Sequence, residues 1–358
     1  MEWAEMIKTS ILNFTLEELK EDFKIKGIKQ YRAKQVFNWI YRNGILEFTN
    51  MNNLPNNLIK GLKKNYKITS IELDKKLISE DGTLKYLWKT EDNELLESVF
   101  LPYEEDSRYS ICVSSQIGCS LGCKFCATGI DGLKRDLSTG EIVEQVLQIQ
   151  VDVSHREFKI PQITNIVFMG MGEPFLNYDN VMKAVQILNS RKAFNIAKRK
   201  ITISTAGVVD KIIRVAESEE QLGLAISLNA PNDQLRDKLM PINKKYNIKK
   251  IMKAVDYYIQ KTNRRVSFEY VLMKGINDKE VHLFQLISLL KNKLVHLNLI
   301  PLNPVSELNI SRPSQEVIDH FQKKLRENNI TVTIRKEKGT NIKAACGQLR
   351  SSHKNGGS

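Results

Sequence analysis

The chain has 358 residues, 42% of them apolar, which leaves room for two or three domains at about 150 residues each and for a substantial core. Its 54 lysines and arginines against 41 acids give a net charge of +13, which points to a polyanionic partner, nucleic acid first, with plain solubility as the competing explanation. No apolar run is long enough to span a membrane, and MEWAEMIKTS carries acids where a secretion signal is basic, so a cytoplasmic protein is expected.

In chain order, TLEELKEDFKIKG and QYRAKQVFNWIYRNG read as short amphipathic helices, and NLPNNLIKGLKKNY as a third that starts after Pro55. The period then changes. ITSIELDKKLI, LKYLWKT and ELLESVFLP alternate like strands, with turns at Asp81-Gly82 and Asp92-Asn93, and predict a small antiparallel sheet. Residues 1–104 are therefore expected to form an N-terminal α+β accessory domain. From about residue 105 a strand, loop, helix pattern repeats: YSICVSS, TNIVFMG, KITISTA, LGLAISLNA, RVSFEYVLM and VHLNLIPLN are strands followed by amphipathic segments, and ITVTIR closes the series. This predicts an α/β core over 105–340 built as a partial parallel (β/α)6 barrel, with a doubly wound open sheet as the runner-up, and a C-terminal segment over 341–358.

Alternation within these strands carries further information. Ser110, Cys112 and Ser114 share one parity against Ile111 and Val113; Thr202 and Ser204 oppose Ile201 and Ile203; Ser227 opposes Ile226 and Leu228. Helices cover the outer face of a parallel barrel, so the polar parity is expected to face the lumen and to make it a ligand chamber.

The five cysteines are Cys112, Cys119, Cys123, Cys126 and Cys346, an odd number with three crowded together, which is no disulfide framework. Cys119, Cys123 and Cys126 stand as C-x3-C-x2-C in the loop GCSLGCKFCATG after the first barrel strand, where Gly118, Gly122 and Ala127 allow close backbone approach. A structural zinc wants a fourth ligand, and none of His155, His282, His296, His320 and His353 lies nearby. Three thiolates suit a four-iron cluster with one iron left open to a small molecule; zinc or a redox thiol is the alternative. Further on, GMGE (Gly170–Glu173) ends the second barrel strand, its glycines admitting a ligand and its carboxylate suited to an ammonium, while Pro174 breaks any Rossmann-type G-x-G-x-x-G. Cys346 follows the last strand, at the same barrel end as the cluster loop, with Cys112 pointing into the lumen.

The spacing C-x3-C-x2-C, with an aromatic before the last cysteine, resembles the radical S-adenosylmethionine superfamily. With RAKQVFNWIY, LLESVFLP, CVSSQIGCSLGCKFCATG, FMGMGEPFLN, ITISTAG, LAISLNAPND, LMPIN, LIPLNP and AACGQL, the chain resembles the dual-specificity 23S rRNA and tRNA adenine-C2 methyltransferases over almost its whole length. The resemblance implies a [4Fe–4S] cluster on Cys119, Cys123 and Cys126, and S-adenosylmethionine, two molecules per turnover, against Gly172, Glu173, Ser204, Ser227, Leu228 (through its backbone), Asn229 and Asn303. Cys346 would carry the methyl group, Glu97 would accept the C2 proton, and a Cys112–Cys346 disulfide would resolve a protein–RNA adduct. Asn229, Asn341 and Lys343 depart from the family pattern, where histidine is frequent at the first and acids are usual at the other two. The implied partners are 23S rRNA near the peptidyl-transferase centre, tRNA beside the anticodon, and an electron donor such as flavodoxin or ferredoxin, for an enzyme acting as a monomer. The related adenine-C8 methyltransferases, which confer antibiotic resistance, are the nearest rival; a noncatalytic zinc-containing RNA-binding protein is the rival of another class. Lys198-Arg199-Lys200, Lys244-Lys245, Arg264-Arg265 and Arg335-Lys336 are candidate phosphate contacts. QYRAKQVFNWIY could dock RNA, although Val36, Phe37 and Ile40 suit a core better, and the tail SSHKNGGS reads as disordered.

Overall fold

The computed structural model describes residues 8–154, 162–218, 220–303, 309–336, 338–344 and 347–349. Helices α1 (Leu16–Ile25), α2 (Tyr31–Tyr41) and α3 (Asn56–Asn65) form the N-terminal layer. Thr15 caps α1 through a reciprocal pair with Glu18: its hydroxyl accepts from the Glu18 N–H, and the Glu18 carboxylate accepts from the Thr15 N–H. Val36, Phe37 and Ile40 are buried, so the inner face of α2 is core. A two-stranded pairing of Thr9–Ser10 with Tyr66–Lys67, too short to leave a pattern in the sequence, clasps the two ends of this layer.

The central sheet has ten strands in strictly sequential order: β1 (Ile71–Ile78), β2 (Leu84–Thr90), β3 (Leu95–Tyr103), β4 (Arg108–Cys112), β5 (Asn165–Phe168), β6 (Ile201–Thr205), β7 (Gly223–Ser227), β8 (Val266–Leu272), β9 (Val295–Pro301) and β10 (Thr331–Ile334). β4 to β10 are all parallel, and the helices α4 (Thr139–Ser154), α5 (Tyr178–Asn189), α6 (Val209–Glu217), α7 (Asp233–Leu239), α8 (Ile248–Thr262), α9 (Glu280–Leu290) and α10 (Gln315–Glu327) lie in the connections. Right-handed crossovers in an order that never reverses put every helix on one side, which bends the sheet into the expected partial barrel; a doubly wound sheet would need a switch point. The other face encloses a lumen. Ile111, Ile201, Ile203 and Ile226 are buried beneath the helices, while Ser110, Thr202, Ser204 and Ser227 line cavities on the inside.

The antiparallel strands β1 to β3 are continuous with the barrel. β3 pairs with β4 in the register Val99↔Cys112 through Tyr103↔Arg108, so one sheet runs through the turn at Glu104–Asp106 where the accessory domain was expected to end. Alternation in a strand reveals which face is buried but not what its edge pairs with, so the attachment was not readable.

Buried polar groups fasten the N-terminal layer and the antiparallel strands to α4. Gln145, fully buried, accepts from the Ser114 N–H and the Ser98 hydroxyl and donates to the Ser114 carbonyl. Glu144 accepts from the Ser70 N–H at 2.8 Å and the Ile71 N–H at 3.4 Å. Burial pushes the Glu144 carboxyl up to about 8 from 4.5, against the pull of those donors. A folded-state value above the unfolded one means a contribution fully present below about pH 4.5 and lost as pH rises through about 8. Glu144→Gln keeps the amide oxygen as an acceptor; thermal midpoints measured across that window should fall more steeply with pH in the wild type than in the variant. Among the described residues no helix is long and apolar enough to cross a membrane.

Candidate active site

After β4 the chain folds into a hairpin, Gln116–Gly118 against Leu133–Asp136, whose tip carries the three cysteines. Gly118 has φ +73°, and a Cβ there would lie 1.9 Å from the Gly132 carbonyl oxygen, so only glycine permits the hairpin to close beneath the loop. The Cys119 N–H then donates to that carbonyl at 2.9 Å. Lys124 N–H donates to the Leu239 carbonyl at 3.0 Å and Ala127 N–H to the Gly347 carbonyl at 2.8 Å. Phe125 packs with Leu239, Met240 and Leu302. The loop is thus fixed from three sides by contacts that do not involve its sulfurs.

Cys119, Cys123 and Cys126 line one chamber at the C-terminal ends of the barrel strands, together with Gly172, Glu173, Ser204, Ser227, Asn229 and Asn303. Burial, reinforced by the neighbouring thiols, pushes the Cys119 thiol up to about 12 and Cys123 higher still. Cys119 and Cys123 therefore resist ionisation in this dry pocket, and a cationic metal group removes that penalty. A structural zinc wants four ligands, whereas the chamber offers three thiols and a Glu173 carboxylate already held by the Ala206 and Phe175 N–H groups. Three sulfurs along one chamber wall suit a cluster in which each binds a different iron. The donor set therefore fits an iron–sulfur group better than zinc.

Glu173 is buried at the bend after β5. Its carboxylate accepts from the Ala206 N–H at 2.7 Å and the Phe175 N–H at 3.1 Å, and its own N–H donates to the Gln116 side chain at 2.8 Å. Burial pushes its carboxyl up to about 7, a group whose ionised form an adjacent ammonium would restore. Gly172, at φ +98°, could not carry a side chain: a Cβ would meet Gln116 Cβ at 2.6 Å. Asn229 sits in the left-handed region at φ +57°, tolerable for asparagine, with its side-chain oxygen accepting from the Val271 N–H.

Other predicted residues fall elsewhere. Leu228 is fully buried and does not line the chamber; its N–H donates to the Glu269 carbonyl and its carbonyl accepts from Arg236, so its backbone is already engaged. Ser114 lies beyond the end of β4, where the parity lapses, and its hydroxyl joins the Glu97 carbonyl to the Met171 N–H instead of facing the lumen. Glu97 is buried on β3 and does not line the chamber; its carboxylate pairs with Lys85 at 2.9 Å, and Lys85 also donates to the Lys343 carbonyl. Cys112 lines an adjoining pocket with Asn303, Arg335, Ala344 and Leu349. Cys346 lies outside the described residues, but Ala344 and Gly347 on either side of it line this pocket and the chamber respectively. Of the basic runs, Arg199, Lys200, Lys244, Lys245, Arg265 and Lys336 are exposed, whereas Arg335 turns inward. His155 and His353 also lie outside the described residues.

Two residues escaped sequence reasoning. Arg236 on α7 is fully buried and donates to the carbonyls of Ala206, Ser227 and Leu228, tying the ends of β6 and β7 that hold the chamber's polar residues. Glu269 shares with Ser267 the lumen parity of β8, a signal present in FEYVLM as a lone acid in an apolar strand.

Fold and loop together define a radical S-adenosylmethionine enzyme, and the comparisons agree. Residues 113–287 match the radical SAM superfamily, and residues 9–68 match the ribosomal RNA large subunit methyltransferase N-terminal domain. A probable dual-specificity RNA methyltransferase RlmN of Clostridium novyi (strain NT) is 44% identical over 342 residues, 95% of this chain and 97% of that protein. A second, of Caldicellulosiruptor saccharolyticus, is 45% identical over 349 residues, 98% and 99% of the two chains. The crystal structure of a radical SAM methyltransferase from Sphaerobacter thermophilus superimposes with a TM-score of 0.92 at 41% identity, covering 96% of this chain and all of that one. The chain belongs to the RlmN family of dual-specificity RNA methyltransferases.

Proposed function

We propose that the protein methylates C2 of adenine in 23S rRNA and in tRNA, carrying the methyl group on Cys346. The observation that supports this most directly is the convergence of the three-cysteine loop, Cys112 and both flanks of Cys346 on adjoining cavities. Cys119, Cys123 and Cys126 would hold a [4Fe–4S] cluster, and Gly172, Glu173, Ser204, Ser227, Asn229 and Asn303 would hold S-adenosylmethionine. When bound, these groups supply an electrophilic methyl for a thiolate and a carbon radical able to take hydrogen from that methyl, one molecule of S-adenosylmethionine for each task.

The chain's own residues do the rest. Adenine C2 lies between two ring nitrogens and is electron-poor, so it cannot attack a methyl cation equivalent. Cys346 accepts the methyl as a nucleophile and presents its carbon to C2. Glu97, charge-paired with Lys85 beside the C-terminal segment, takes the C2 proton. Once the adduct has also given up one electron to the bound redox group, the Cys112 thiolate attacks the Cys346 sulfur. The S–S bond forms as the S–C bond breaks, the released electron pair goes to the exocyclic carbon, and that carbon takes a proton to become the methyl group. An external thiol reductant then reopens the disulfide. The polar lumen demands a base that has left its stack, as loops and bulges provide at least expense. Residues 9–68 and the exposed basic runs are the natural grips on RNA phosphates. The enzyme works as a cytoplasmic monomer and draws electrons from a small carrier of the flavodoxin or ferredoxin class.

Mass spectrometry of nucleosides from RNA treated with the reconstituted enzyme tests this. The expected product is 2-methyladenosine, absent with Cys346→Ala. Finding 8-methyladenosine alone would move the assignment to C8, and a colourless, zinc-containing protein without product would favour a binding role.

A further inference from the structure

Below the chamber the lumen widens into a cavity of about 1110 Å³, which none of the three cysteines lines. The two spaces meet at Met169, Glu269 and Arg335, and Met169 and Arg335 also border the pocket of Cys112. Glu269 lies at this junction, in register with Ser227 on one side and Asn298 on the other. Asn298 donates to its Oε1 at 2.9 Å and is itself fixed by the Thr333 hydroxyl at 2.6 Å. Oε2 is buried and accepts no hydrogen bond, its nearest cation being Arg335 Nη1 at 3.9 Å. The residue as a whole is 5% exposed.

A buried carboxylate oxygen without a donor destabilises the fold unless a ligand completes it. The residues suited to the cofactor lie at the strand ends beside the cluster loop, whereas Glu269 faces both that chamber and the larger space beyond. The pocket of Cys112 opens directly on the larger cavity at Leu101, Tyr103, Met169 and Arg335, so a base placed there lies beside Met169 and Arg335, the two residues that all three spaces share, with Glu269 on the adjoining wall. Adenine offers it an exocyclic amino donor and the N7 acceptor on one edge, with C2 on the other side of the ring.

We propose that Glu269 reads the amino edge of the substrate adenine and so turns C2 toward Cys112 and Cys346. The inference rests on the adenine-C2 activity proposed above and adds the group that selects the base. Burial pushes the Glu269 carboxyl up, against the pull of Arg335 and Asn298, which favours a neutral acid that both accepts from the amino group and donates to N7.

The test uses the reconstituted holoenzyme with two RNA stem-loops, one holding the target adenosine and one holding purine riboside, which lacks the amino group, at the same position. The wild type should prefer adenosine in kcat/KM by roughly tenfold or more. Glu269→Ala should lose that preference through a higher KM for the adenosine RNA. Glu269→Gln, whose amide keeps an acceptor and a donor, should restore most of it. Intrinsic reactivity of the two rings cancels when the ratio is compared between variants, and a merely structural role would leave the ratio unchanged. Should alanine unfold the chain, Glu269→Met fills the same space without polar atoms. An unchanged ratio in the variant would overturn the proposal, as would weaker S-adenosylmethionine binding measured by equilibrium dialysis without RNA, which would place the cofactor's own adenine against Glu269. Formation of 2-methyladenosine by the wild type is the separate check on the activity itself.

Discussion

Cys123→Ala should yield a folded protein that holds no stable iron–sulfur cluster and makes no methylated RNA. Folding survives because the loop is held by backbone bonds and apolar contacts: Gly118 closed on Gly132, Lys124 on Leu239, Ala127 on Gly347, and Phe125 in its own small cluster. The far-ultraviolet spectrum and urea midpoint of the variant should therefore match those of the unreconstituted wild type. Metal binding should fail because each cysteine would serve a different iron, so that loss of one leaves a second iron without a protein ligand, while the nearby Glu173 carboxylate is already held by the Ala206 and Phe175 N–H groups. Oxygen-free wild type should be brown with about four irons per chain, the variant nearly colourless. Reductive cleavage of S-adenosylmethionine should vanish with the iron. A variant that keeps both iron and cleavage would remove Cys123 from the ligand set, and a wild type with one zinc would remove the cluster altogether.

The parallel core was legible because a barrel imposes opposite demands on the two faces of each strand. Ile201, Thr202, Ile203 and Ser204 alternate visibly, and the lumen followed from that alternation. The cysteine loop was legible because ligand spacing is local. What could not be read depends on partners distant in sequence. Ser114 continues the parity of Ser110 and Cys112 on paper, but the strand ends at Cys112 and Ser114 is drawn to Glu97 and Met171. Leu228 looked available for a backbone contact until Glu269 and Arg236 were seen to occupy its amide and carbonyl. Arg335 passed for half of a surface pair, yet the strand end it follows turns it into the lumen. Gln116 holds the Glu173 N–H, and the Asn177 amide donates to the Ser115 and Leu137 carbonyls; both are plain polar residues whose role exists only once two loops meet.

Cys112→Ala should trap RNA covalently on the protein after a single turnover. Cys112 is buried on the inner face of β4, opposite Val99 and Val167, and its pocket is bordered by Ala344 and Leu349 from the segment that carries Cys346. Once the carbon on Cys346 is joined to C2, the base can leave only if the Cys346 sulfur finds another bonding partner. Water offers no equivalent, and among the described residues the cysteines other than Cys112 are the three assigned to the cluster. The variant should still load its cluster and form the adduct, because alanine removes only the thiol from a well-packed site. Denaturing gels should then show a nuclease-sensitive band of higher mass, approaching one RNA per active enzyme, and multiple turnover should cease. The double variant Cys112→Ala/Cys346→Ala should show no such band, since nothing remains to carry the carbon. If the single variant instead turns over repeatedly without an adduct, Cys112 is not the resolving thiol and release must proceed through another group.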